Sequence, residues 1–142
     1  MSVRCKDKAF GLRWYLRDSR GASAVEFALT IPAVIMLTVG ALEIGRAVSA
    51  QAAINHAAKE TARFASVHGA ASGAAATQAA LEAMALQTAD LKATTAAVSW
   101  DPDNSPGGNV TVDLQHTFTP VTPVLDATTF TFSSTASMTV IR

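Results

Sequence analysis

The longest feature of the hydrophobic pattern is a run from Ala22 to Leu42, ASAVEFALTIPAVIMLTVGAL, in which Glu26 is the one charged side chain. A helix of about 20 apolar residues crosses a hydrocarbon core of ~30 Å. Helix is also the form in which a single segment satisfies its own backbone polar groups in lipid. Past Leu42 the run becomes periodic. Ala47, Ala50, Ile54, Ala57, Thr61 and Phe64 recur at steps of three and four, one mainly apolar stripe that leaves Arg46, Lys59 and Arg63 for other faces. Alanine favours helix and no proline falls in this stretch. The pattern predicts one long helix from about Ser23 to Val67, its first half suited to lipid, ended by Gly69 and the small residues through Gly73. Leu81, Met84, Thr88 and Leu91 give a second, shorter helix with a modest stripe.

After about Lys92 the period shortens to two. Val98-Ser99-Trp100 closes a short β-like stretch, and Asp101–Asn109, DPDNSPGGN, reads as a turn-rich loop. Val110, Val112, Leu114, His116 and Phe118 share one face of a strand. Phe130, Phe132, Met138 and Val140 share one face of the last strand if no bulge intervenes. Between these two strands Thr119-Pro120-Val121-Thr122-Pro123 breaks the ladder. The expected class is α+β: a long N-terminal helix, a short second helix and an antiparallel sheet of about three strands.

Charge gives the chain a direction. The 142 residues carry no net formal charge, but residues 1–21 hold six basic and two acidic side chains, a net +4, leaving −4 on residues 22–142. A basic head before an apolar run is the pattern of an N-in, single-pass membrane protein, with the rest of the chain outside. Three parts follow: a basic cytoplasmic leader (1–21), a transmembrane helix (22–45) and an extracytoplasmic α+β domain (46–142). The single cysteine, Cys5, lies in the head, so the domain does not rest on an internal disulfide.

Two residues are unusual for a plain anchor. Pro32 lacks an N–H and crowds the carbonyl four residues back, which predicts a kinked or loosened helix. Glu26, if deep in lipid, costs ~3 kcal/mol and calls for a partner; placed in the headgroup region, it is an ordinary flanking charge. Around it the chain reads Arg20-Gly21-Ala22-Ser23-Ala24-Val25-Glu26-Phe27. A glycine after basic residues, a glutamate five positions on, an aromatic residue and a long apolar helix resemble a type IV prepilin leader. The stretch RGASAVEFALTIPAVIMLTVGALEIGRA is similar to the TadE-like family of the Tad (Flp) pilus system. The resemblance implies cleavage between Gly21 and Ala22 by a prepilin peptidase on the cytoplasmic face. It further implies assembly roles for Glu26, Phe27 and Pro32. In related pilins the glutamate is thought to pair with the N-terminal amine of a neighbouring subunit, which would compensate a buried carboxylate. Implied partners are the bacterial inner membrane, other pilin-like subunits, Tad assembly proteins and the peptidase. The resemblance is strongest over residues 20–46.

Other readings remain. The head, the apolar run and Val48-Ser49-Ala50 also resemble a secretory signal cut after Ala50, although the run exceeds a usual h-region and Glu43 and Arg46 intervene. An unprocessed anchor holding an extracytoplasmic protein-binding domain is the alternative to a pilin. An enzyme is not expected, because His56, His68 and His116 are scattered and no catalytic or metal-binding motif is written. No cofactor or metal is expected either. Asp101, Asp103 and Asn109 depart from EF-hand spacing and read as a solvated turn. Nucleic-acid binding is not expected, since residues 22–142 are net acidic and carry no basic stripe.

Overall fold

The predicted long helix forms as α1, Ala22–Val67. The computed structural model describes residues 21–121 and 129–141. The basic head, with Cys5, and Thr122-Pro123 of the connection lie outside the described residues. Helix α1 continues unbroken through Pro32. Thr30 and Thr38 turn their hydroxyls back onto the carbonyls four residues earlier, Glu26 O at 2.7 Å and Val34 O at 2.8 Å. That habit lets a hydroxyl sit in an apolar helix without an unmet donor.

The chain divides into two units, Met1–Gly40 and Ala41–Arg142. In the first, the described residues are α1 up to Gly40, with its apolar side chains bare: Val25, Phe27, Leu29, Val34, Ile35, Met36 and Leu37 are all exposed.

The second unit joins the rest of α1 to α2 (Gln78–Ala89) and to the strands β1 (Thr94–Asp101), β2 (Asn109–Phe118) and β3 (Phe130–Thr139). The strands form an antiparallel sheet in the order β1-β2-β3. This is the expected α+β arrangement. Pairing runs from Val98↔Val112 across to Val112↔Ala136, and from Asn109↔Thr139 to Phe118↔Phe130 without a bulge. All even-numbered positions of the sheet therefore face one way. Val98, Val110, Val112 and Leu114 are buried there with Val140, against Ile54, Ala57, Ala58, Ala62 and Ala65 of α1 and Leu81, Ala85 and Ala89 of α2. The odd positions present a hydroxyl-rich face, on which Thr111 donates to Ser137 at 3.3 Å and Thr139 to Asn109 at 3.1 Å. Such cross-strand polar pairs add modestly to the ladder.

Two stripes differ in detail from expectation. Phe64 is exposed and stacks on His68, while Ala65 enters the core. At ~100° per residue Phe64 lies about a quarter turn from the centre of the Ile54/Thr61/Ala65 face. In α2 the buried line is Leu81, Ala85 and Ala89, with Met84 and Thr88 half-buried and Leu91 beyond the helix end. Alanines on this line let α2 pack closely on β1. Thr77 caps the start of α2, accepting from Ala80 N–H at 3.3 Å. Asp90, at φ 48°, ends it, its N–H donating to Leu86 O at 3.2 Å.

The loop between β1 and β2 is held by its glycines. Gly107 has φ +94°, and a Cβ at Gly108 would lie 2.4 Å from Asp103 O. Gly107 N–H donates to Val140 O at 2.9 Å, and Val140 N–H to Gly108 O at 2.8 Å, which fastens the loop to the end of β3. Ile141 N–H in turn reaches Ser66 O near the C-terminal end of α1 at 2.7 Å.

Candidate functional site

The residues singled out by the prepilin-like pattern lie in and just before α1. Gly21 is exposed immediately ahead of the helix, and nothing lies within 4 Å of where its Cβ would be. Ala22 is the first helical residue. Glu26 is exposed, as are Phe27 and Pro32. The bond that the resemblance marks for cleavage is thus exposed at the start of α1. Glu26 and Phe27 are adjacent in sequence and point about 100° apart around the helix axis. Glu26 makes no side-chain bond among the described residues, so a carboxylate and a wide apolar surface are both available to something outside this single chain. Among the described residues α1 is the one helix long and apolar enough to cross a membrane.

The second unit contains a polar junction that the sequence reading did not single out. Glu43 is only 8% exposed. Its Oε1 accepts the Val121 N–H at 3.0 Å, just after β2, and its Oε2 accepts Arg46 Nη1 at 2.8 Å. The Arg46 guanidinium lies 5.4 Å from the centre of the Phe118 ring, within cation–π range. One carboxylate thereby ties the chain leaving the sheet to the first turn of α1 in this unit. The signal was present in the sequence: Glu43 precedes Ala47, Ala50 and Ile54 on the same helical stripe, so an acid was placed on the core face and needed donors there.

Beside this junction a cleft of about 290 Å³ is lined by Glu43, Ile44, Ala47, Phe118, Pro120, Phe130 and Phe132. On the other side of Phe118 a wider groove of about 920 Å³ runs along Ala41, Gly45, Ser49 and Ala53, with Arg46 and Lys92 on its walls.

The scattered polar residues are accounted for locally. His116 is buried and shares a 3.0 Å hydrogen bond with Thr94 Oγ1. His68 bonds Phe64 O at 2.9 Å through Nδ1, and His56 is exposed on α1. Asp103 accepts from the hydroxyl and the N–H of Ser105, which hold its carboxyl below the usual carboxylate range. Asn109 takes the Thr139 hydroxyl, and Asp101 ends β1 opposite Asn109. Among the described residues no cluster of three or more His, Cys, Asp or Glu is placed to hold a metal.

Neither the comparison with curated proteins nor that with solved structures finds a match. Residues 21–63, from the residue before α1 through most of that helix, match the family model described as TadE-like protein.

Proposed function

We propose that the chain is a minor pilin or pilin-like structural subunit used in assembling a Tad-type pilus. The family match supports association with the Tad pilus and a structural rather than enzymatic part in it. The observation that carries the finer reading is the first half of α1: a predominantly apolar, exposed helix, with Phe27 66% and Leu37 76% exposed and Glu26 its one charged side chain. Water does not stabilise such a surface, so lipid and neighbouring helices are its natural surroundings.

In this reading the chain inserts with its N-terminus inside and its domain outside. The peptidase cuts between Gly21 and Ala22, removing the basic head and leaving a free amine at the start of α1. Subunits then associate sideways. Val25, Phe27, Leu29, Val34 and Leu37 supply contact, while Ala24, Ala28 and Gly40 admit a close neighbour. Glu26 pairs with a neighbour's amine, because a carboxylate in lipid without a partner opposes packing. Pro32 interrupts the hydrogen-bond ladder at one position and gives the helix local compliance within the bundle.

Competition between two copies tests the assembly role. Wild-type and Glu26→Gln chains carrying different tags are expressed together in the native host, and the sheared surface and membrane fractions are compared. The substitution is expected to leave membrane insertion unchanged and to deplete the variant severalfold from the assembled material. Equal incorporation of the two would remove Glu26 from the assembly mechanism.

A further inference from the structure

The second unit has one end that is built differently from the rest of its surface. At the ends of β2 and β3 nearest α1 residues 43–47, Phe118, Pro120, Phe130 and Phe132 gather with Ile44 and Ala47 around the 290 Å³ cleft. The rim of this patch is bare: Ile44 is 67% exposed, Val121 74% and Phe130 44%. The opposite end of the sheet ends instead in the polar Asp101–Asn109 loop, and the outward sheet face is hydroxyl-rich. Beside the patch, the groove walls carry Arg46 and Lys92 and no carboxylate, in a unit whose described residues are net acidic. Arg46 is paired with Glu43, so among the described residues Lys92 is the groove cation without an ion pair.

Continuity identifies the occupant. Ala41 and Leu42, the last residues of the apolar run, belong to this same unit, and Ile44 follows Leu42 by ~3 Å of helix rise. Chain emerging from a bilayer at Leu42 brings Ile44, Val121 and Phe130 to the boundary between acyl chains and headgroups. Exposed apolar and aromatic side chains with a lysine beside them suit that boundary, where apolar burial and attraction to anionic headgroups act together.

We infer that the aromatic end of the domain, Ile44, Pro120, Val121 and Phe130 with Arg46 and Lys92 beside it, rests on the outer surface of the membrane that α1 spans. This inference rests on α1 spanning a membrane. It adds a second attachment of the domain to the lipid.

The test uses the full chain with Cys5→Ser, in nanodiscs of phosphatidylethanolamine and phosphatidylglycerol. Single cysteines carrying a spin label replace Val121, Phe130, Ser99 and Leu37 in turn, with circular dichroism confirming the fold of each. Collision with oxygen reports lipid, and collision with a water-soluble nickel complex reports water. Labels at 121 and 130 are expected to show a severalfold higher oxygen-to-nickel ratio than the label at 99, with 37 higher still. If 121 and 130 match 99 while 37 remains in lipid, the helix spans and the domain does not rest on the membrane, which overturns the inference alone. A water-exposed label at 37 removes the spanning reading and the inference with it. Dipolar broadening at 130 that vanishes on dilution with unlabelled chain shows a second copy covering the patch, and also overturns the lipid contact.

Discussion

Replacing Glu43 with alanine should loosen the connection between the sheet and α1 by a calculable amount. The substitution removes two interactions. The bond from Val121 N–H to the carboxylate, at 3.0 Å, belongs to a class that contributes about 1.5–3 kcal/mol. Val121 is largely exposed, so water can satisfy its N–H once the carboxylate is gone, which puts the loss at the low end. The ion pair with Arg46 has an arginine side chain 52% exposed and is worth only about 0.3–0.5 kcal/mol at this kind of spacing. The sum is about 2 kcal/mol. Glu43→Gln keeps the shape and an acceptor for Val121 but loses the charge, and should fall between alanine and wild type.

Equilibrium unfolding of the full chain in detergent micelles, followed by Trp100 fluorescence in a Trp14→Phe background, measures the difference. Trp100 is well placed for this, packed against the core from β1. Amide exchange at Val121 gives a local readout and should accelerate in both variants, more in alanine. If Glu43→Ala unfolds within about 0.5 kcal/mol of wild type, the size expected of a neutral surface change, and exchange at Val121 is unchanged, the carboxylate is not the anchor described here.

Two further substitutions test the packing. Gly108→Ala puts a Cβ 2.4 Å from Asp103 O and 3.2 Å from Ser105 O, both backbone atoms, and should cost about 1–3 kcal/mol by the same unfolding assay. Wild-type stability would show that the loop opens without loss. Thr61 is fully buried with its hydroxyl unpartnered among the described residues. Thr61→Val should raise stability by about 1 kcal/mol, since an unmet buried hydroxyl costs at least that; a loss would mean the hydroxyl has a partner in the folded chain.

The architecture was legible because both periods were strongly written. Val110, Val112, Leu114, His116 and Phe118 alternate cleanly, and the structure buries each. The apolar run and the stripe after it gave α1 to within a residue. What sequence missed depended on small residues and on closure. Spacing alone favoured the bulky Phe64 over Ala65, yet the close approach in this core selects alanine. The α2 stripe shifted toward Ala85 and Ala89 for the same reason. Glu43 stood visibly on the apolar face, but its donor, Val121, is 78 residues away and follows only from how the sheet returns to the helix. The candidate processing and assembly residues are the reverse case. Gly21, Ala22 and Glu26 were legible through a family pattern, and all three are exposed with no partner among the described residues that would define their roles.

The central claim is that this chain is matured as a prepilin and assembled through α1. It is tested most directly by determining the N-terminus of the protein recovered from its native host, in membrane and in sheared surface fractions. The account predicts a start at Ala22, present in the sheared material. A start at Gln51 would contradict it by removing the membrane helix, and an intact Met1 in both fractions would leave an unprocessed anchor in place of a pilin.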